Sequence, residues 1–346
     1  MPYELPPDPS TERRTRITRW VSFAFAAILV ALVTYLAYVG YEGSRQLSDA
    51  PAPSADCGTP AMLGWEYEAI NYDVSADGGL EAEPDPEQCS QRRASAGEAV
   101  TVGEVGLAGW YIPAGAGADP SAPTVVLAHG WGSNKSNMLG RAAILHDAYN
   151  LLLFDFRNHG QSSAAPTTQG VREAQDLRAI IDWLEREKGP DSIAVLGVSM
   201  GAASALAEAD RDDRVDAVIA ESTHATLANA AQARLDRSGY PLSMPGSWAI
   251  LLGSLMRTGE DLSAVDPVQS VERLDERPLL LINGGADDSI GRDDAESLRA
   301  AAEEAGSPTE LHVCADAGHG TSYETCAEEY ASWVLGFLQR VLAPAG

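Results

Sequence analysis

Residues 193–201 read IAVLGVSMG, and residues 202–209 continue as AASALAEA. A short apolar run containing Ile193, Val195 and Val198 gives way, at a single serine, to an alanine-rich stretch of strong helix formers. Ser199 is bracketed by Gly197 and Gly201, which makes a G-x-S-x-G turn between a strand and a helix. A side chain at either glycine would collide with the neighbouring strand or helix. The turn lifts the Ser199 hydroxyl off the sheet and aims the helix N-terminus at any negative charge developing beside it.

The same alternation extends on both sides. Apolar strand runs are read at 124–128, 151–154, 193–196, 215–220, 278–282 and 310–313, with helical periodicity at 137–149, 171–188, 200–210, 292–304 and 325–342. Upstream, 64–74 and 98–112 carry strand-like material around a polar, turn-rich stretch at 75–97. Continuous apolar strands alternating with amphipathic helices imply an α/β architecture, a mostly parallel sheet covered by helices on both faces. Such sheets bind ligands at the carboxyl ends of their strands, so the chemistry is sought there.

Four strand ends supply candidates. Ser199 is the nucleophile. The 124–128 strand runs into His129-Gly130-Trp131-Gly132, where a glycine-flanked turn lets the backbone N–H of Trp131 join that of Met200 as oxyanion donors. His129 is read as a brace for this loop, with a catalytic base as the alternative. The 278–282 strand leads to Gly284-Gly285-Ala286-Asp287-Asp288, giving Asp287 as the acid and Asp288 as its runner-up. After 310–313 comes Ala317-Gly318-His319-Gly320. Of six histidines (129, 146, 159, 224, 312 and 319) only His319 has both the loop position and the order Ser…Asp…His. His224 follows a strand end and is a candidate substrate contact.

These residues resemble the landmarks of the α/β-hydrolase superfamily. His129-Gly130-Trp131, Asp155-Phe156-Arg157-Asn158-His159-Gly160-Gln161-Ser162, the Ser199 turn, the Gly284-to-Asp287 loop and Gly318-His319 fall in that family's order. The chain is most similar to bacterial serine aminopeptidase and prolyl-oligopeptidase-like hydrolases over residues 64–342. Asn158 departs from the glycine usual in its turn. The resemblance implies a Ser-His-Asp triad that cleaves an ester, thioester or amide of a small-molecule or peptide substrate through an acyl-enzyme, with no metal or organic cofactor. An idle hydrolase fold serving as a binding or scaffolding module is the alternative. Residues 222–276 separate two core strands and include Pro245, Trp248, Leu251 and Leu252. They are read either as a small lid, with Trp248 in the substrate pocket, or as ordinary packing against the sheet.

The N-terminus carries a separate signal. Residues 20–40, WVSFAFAAILVALVTYLAYVG, have no charge. As a helix these 21 residues span roughly 31 Å, a bilayer core. Arg13, Arg14, Arg16 and Arg19 precede them, which puts the N-terminus in the cytoplasm and the rest outside. A cleaved signal peptide fits less well, because the apolar run is long and Pro53 follows the Ala50-Pro51-Ala52 site. A lipoprotein site at Cys57 is opposed by Asp56, and a buried soluble helix by the all-round apolarity. The expected organisation is a short disordered tail at 1–19, a transmembrane helix at 20–40, a linker at 41–63 and a hydrolase domain at 64–346.

Four cysteines follow the apolar run, in no zinc-like spacing. In an oxidising compartment their natural pairing is Cys57–Cys89 and Cys314–Cys326, the alternative being four buried thiols. Fifty Asp and Glu against 24 Lys and Arg give a net charge of −26, and only Lys135 and Lys188 are lysines. Nucleic-acid binding is excluded on this ground.

Overall fold

A computed structural model describes residues 9–49, 58–73, 105–115 and 121–342. The chain opens with a 40-residue helix, α1 (Pro9–Ser48). Eight strands follow among the described residues: β1 (Glu68–Asp73), β2 (Gly106–Ile112), β3 (Thr124–Ala128), β4 (Asn150–Phe154), β5 (Ile193–Val198), β6 (Val215–Glu221), β7 (Leu279–Gly284) and β8 (Thr309–Cys314). They form one sheet in the order β1-β2-β4-β3-β5-β6-β7-β8. β1 and β2 are antiparallel to their neighbours, and the strands from β4 to β8 run parallel.

The helices between the strands are α2 (Leu139–Leu145), α3 (Val171–Glu187), α4 (Met200–Ala209), α5 (Leu227–Arg237), α6 (Ser243–Thr258), α7 (Pro267–Val271) and α8 (Arg292–Ala305), with α9 (Ser322–Thr325) and α10 (Ala327–Val341) after β8. Successive strand residues point to opposite faces, and both faces are dry. Val126, Val195, Val218 and Leu281 pack with Leu177 and Ile180 of α3, Leu206 of α4 and Leu298 of α8. Val125, Leu196, Ile219 and Leu280 pack with Ala142 and Leu145 of α2 and with Tyr330, Val334 and Phe337 of α10. Burial on both faces is why these strands read as unbroken apolar runs rather than as alternation.

Several elements depart from expectation. Residues 137–149 hold a 3-10 turn (Lys135–Met138) and only a short α2, because Asn134 caps the turn reciprocally with Asn137. The helix expected over 325–342 is broken at Cys326, whose backbone leaves the helical region where it is bonded to Cys314. The expected tail is helical from Pro9, and the expected linker does not begin at 41, since α1 continues to Ser48. Cys57, Cys89 and the stretch 75–97 lie outside the described residues.

The C-terminal turns of α1 are docked. The carbonyl of Ser48 accepts from the Thr167 N–H at 3.0 Å, and the Leu47 carbonyl accepts from Gln169 Nε2 at 3.0 Å. Val39 is buried with Leu235 of α5 and Ile250 of α6. α1 and α6 touch backbone to backbone: a Cβ on Gly40 would lie 2.6 Å from the Ala249 carbonyl oxygen, and one on Gly253 would lie 2.5 Å from the Gly40 carbonyl oxygen. No side chain fits at that crossing. Gly253→Val is therefore expected to destabilise the detergent-solubilised chain by about 1–3 kcal/mol. Leu252→Ala, one residue away on the exposed face, should stay within about 0.5 kcal/mol. Equal thermal unfolding midpoints for the two variants would refute the crossing.

Candidate active site

The strand-to-helix turn after β5 has the strain its sequence implies. Ser199 sits at φ 54°, ψ −115°, a conformation a side-chain-bearing residue holds only when its surroundings impose it. Its N–H donates to the Glu221 carbonyl at 2.8 Å, and its carbonyl accepts from the Ala203 N–H at 3.0 Å. A Cβ on Gly197 would lie 2.5 Å from the Ala202 nitrogen, and one on Gly201 would lie 2.2 Å from the Ala128 carbonyl oxygen. Both glycines are thus required by backbone approach, one to α4 and the other to β3.

Three strand ends meet at this serine. His319 Nε2 accepts from the Ser199 hydroxyl at 2.9 Å, and His319 Nδ1–H donates to Asp287 Oδ2 at 2.8 Å. The other carboxylate oxygen, Asp287 Oδ1, accepts the N–H groups of Ser289 and Ile290 at 2.8 and 2.9 Å. Burial pushes the Asp287 carboxyl up, but the hydrogen bond and charge of His319 and these two N–H groups outweigh it and hold it below its ordinary value. The Asp287 side chain is fully buried and that of His319 is one-third exposed, at 34%. The assembly is dry at its acid end and open at its serine end. Asp288 is engaged elsewhere: its Oδ1 accepts from the Ser289 hydroxyl and its carbonyl from Arg237.

The acid and histidine loops are stitched through backbone. The Gly285 and Ala286 N–H groups donate to the carbonyls of Cys314 and Ala317 at 2.7 and 2.9 Å. A Cβ on Gly284 would lie 2.3 Å from the Ala317 carbonyl oxygen. Cys314 and Cys326 are joined by a disulfide, so His319 sits inside a covalently closed loop. From the other side, Arg141 forms a buried bidentate ion pair with Glu221 and donates to the Gly320 carbonyl at 2.7 Å, while the Ser222 hydroxyl accepts from the Gly320 N–H at 3.1 Å. Sequence reading missed Arg141, Glu221 and Ser222. Their pairing joins residues 80 apart in the chain, and no local pattern announces it.

The turn carrying Trp131 lies against the serine, since a Cβ on Gly130 would lie 3.4 Å from Ser199 Cβ. His129 is wholly buried; its Nδ1–H donates to the Gly130 carbonyl at 2.8 Å, and its Nε2 accepts the Phe156 N–H at 3.0 Å. It is a brace, and so is His159, which accepts the Gly132 N–H at 3.1 Å. Asp155 anchors the end of the loop, accepting both the N–H and the ammonium of Lys135 at 2.7 Å. Asn158 stands at φ 65°, the left-handed region that asparagine tolerates, which explains the absence of glycine there. Met200 opens α4, where the first N–H groups of a helix have no intrahelical acceptor.

The cavity over Ser199 measures about 340 Å³ and is walled by Trp131, Met138, Arg141, His319 and Tyr323 among others. No residue of 222–276 lines it. The lid expectation is corrected accordingly: α5 and α6 pack on each other and on α1. Trp248 faces the groove between α1 and α6, not the serine. His224 is buried and does not line the cavity, and its Nε2 has no hydrogen-bond partner. Burial pushes its imidazole down to about 4, with Asp266 opposing the shift and His319 adding to it. Among the described residues no three His, Cys, Asp or Glu side chains come together as a metal site.

The comparisons bear on the fold. The family model described as the alpha/beta hydrolase fold matches residues 123–258. The Bacillus subtilis protein YqkD is 30% identical over 226 residues, covering 63% of this chain and 72% of YqkD. A structure of an esterase from Pyrococcus furiosus superposes with a TM-score of 0.64 at 24% identity, covering 86% of this chain and 99% of the esterase. An acylaminoacyl peptidase from Pyrococcus horikoshii gives a TM-score of 0.54 at 19% identity, over 72% of this chain and 41% of the peptidase. The chain belongs to the α/β-hydrolase superfamily.

Two solution measurements check the frame of the site. His224 has its folded pKa lowered to about 4 from 6.5, so the unfolded chain binds its proton first as the pH falls. Folding stability is then lost between those values, by about 3 kcal/mol in all. Denaturant unfolding of His224→Gln should show a shallower loss between pH 7 and pH 4 than wild type, and identical slopes would refute the burial argument. Cys314→Ser/Cys326→Ser opens a loop whose closure is worth roughly 3 kcal/mol in the chain-entropy model; the same titration should register that loss, and an unchanged midpoint would contradict it.

Proposed function

We propose that the protein is a membrane-anchored serine hydrolase that cleaves an ester, thioester or amide through an acyl-enzyme. The observation that carries this reading is the continuous chain from Ser199 Oγ to His319 Nε2 at 2.9 Å and from His319 Nδ1 to Asp287 at 2.8 Å, on a strained turn facing an open cavity. His319 takes the hydroxyl proton as Ser199 Oγ attacks the substrate carbonyl carbon. Asp287 keeps the proton on Nδ1 and stabilises the imidazolium. The N–H groups of Trp131 and Met200 stabilise the oxyanion, His319 returns the proton to the leaving group, and water repeats the sequence to free the acid. A cavity of about 340 Å³ suits a short acyl or aromatic group. The two structural relatives are named an esterase and an acylaminoacyl peptidase, and acyl transfer to water is the chemistry common to both names.

Anchoring is supported by α1, whose Arg13–Ser48 portion is long and apolar enough to cross a membrane. Arginines on its N-terminal side favour a cytoplasmic N-terminus and an extracytoplasmic catalytic domain in the cell membrane. Cys314–Cys326 is the kind of bond that persists there.

Ser199→Ala is expected to lower hydrolysis of short p-nitrophenyl esters on the order of 10⁵-fold or more while the chain stays folded. A fluorophosphonate probe should label wild type at Ser199 and leave the variant unlabelled. Undiminished turnover in the variant, or an unreactive wild-type serine, would overturn the assignment.

A further inference from the structure

Residues 238–256 contain no charged side chain, nineteen residues bounded by Arg237 and Arg257. They include nearly all of α6, whose mean composition is that of a core helix. Yet Leu242, Met244, Trp248, Leu252 and Met256 are each more than half exposed, Met256 at 81%. A water-soluble surface does not carry such a stripe without an occupant.

The neighbour of α6 says what the occupant is. α6 runs alongside the outer end of α1 in the same direction. The Tyr35 hydroxyl donates to the Pro241 carbonyl at 2.5 Å, Gly40 lies on Ala249, Gly253 lies on Gly40 and Ser44, and Arg257 pairs with Asp49 at 3.6 Å. The first half of α6 therefore stands beside residues 35–40, the last turns of the uncharged run of α1. Tyr35 lies five residues before the end of that run, about 8 Å along the helix. Helices immersed in one leaflet reach roughly 5–10 Å below the headgroups. Between the two helices runs an apolar groove of about 810 Å³, bordered by Val33, Leu36, Trp248, Leu252 and Met256. At 16 residues α6 spans about 24 Å, too short to cross a bilayer but long enough to enter one leaflet.

We propose that the N-terminal half of α6 is a second membrane element, dipping into the leaflet at the C-terminal end of α1, with phospholipid acyl chains entering the groove between the two helices beside Trp248. This rests on the anchored reading of α1. The chain would then meet the bilayer at two points. Arg237, at the end of α5, donates to the carbonyl of Asp288, beside the acid of the site, so the immersed excursion adjoins the loop that carries Asp287.

The test uses the full chain reconstituted in phosphatidylcholine vesicles, with ordinary or dibrominated acyl chains. Bromine quenches tryptophan only on contact, and the difference between wild type and Trp248→Phe isolates Trp248 from the other six tryptophans. The expected result is that the Trp248 emission present in ordinary lipid is lost in brominated lipid. Flotation of the vesicles in alkaline carbonate reports α1 separately. Flotation retained with Trp248 emission equal in both lipids would overturn the immersion of α6 alone, and a second copy covering Trp248 would give this result. Loss of flotation would overturn the anchored reading and the proposal together.

Discussion

The interaction on which the site depends is the approach of backbone to backbone at two glycines. Gly201 brings α4 against the carbonyl end of β3, and Gly197 brings β5 against the first turn of α4. Ser199 between them holds a conformation that costs of order 1–3 kcal/mol. The parallel ladders on both sides of β5 leave the chain no other path, so the strain is imposed rather than relaxed. The hydroxyl is consequently presented above the sheet before any substrate arrives, which is what a preorganised nucleophile requires.

Around that turn the molecule spends buried polar interactions on position. Lys135–Asp155 and Arg141–Glu221 are both almost wholly buried ion pairs. Buried pairs of this kind contribute little net stability compared with apolar replacements. Their placement is informative instead: the first holds the end of the Trp131 loop, and the second holds the carbonyl next to His319. Burial raises the Asp155 carboxyl while Lys135, His129 and the Gln161 N–H lower it, and the lowering prevails, which favours the carboxylate. The loops bearing Trp131 and His319 are thereby fixed to the rigid sheet.

A flexible tether would let the α/β-hydrolase fold swing relative to α1. The structure has a docked joint: α1 ends against residues 167–169, and its last turns cross α6 with no side chain between the backbones. Small residues at such a crossing allow close van der Waals packing of helices without a hydrophobic driving force between them. Gly40, inside a run that reads as membrane span, and Gly253, in a run that reads either as a lid or as packing on the sheet, become partners only in three dimensions.

Much of the fold and the core of the candidate site were legible in the amino-acid order. Apolar strand runs announced the two-sided sheet because burial on both faces removes alternation. Ser199, Asp287 and His319 stood out because each follows a strand end, in glycine-marked loops that only a close backbone approach demands. The uncharged run at 20–40 was legible as part of one helix long and apolar enough to cross a membrane, because length and composition are local properties. What the sequence could not decide were contacts between distant segments. Arg141 meeting Glu221, Cys326 interrupting the last helix, α1 running on through residue 48, and Trp248 facing α1 rather than the serine all depend on which surfaces meet. Local propensity carries no record of such partners, since each is set by the packing of elements whose positions exist only once the sheet has closed around its core.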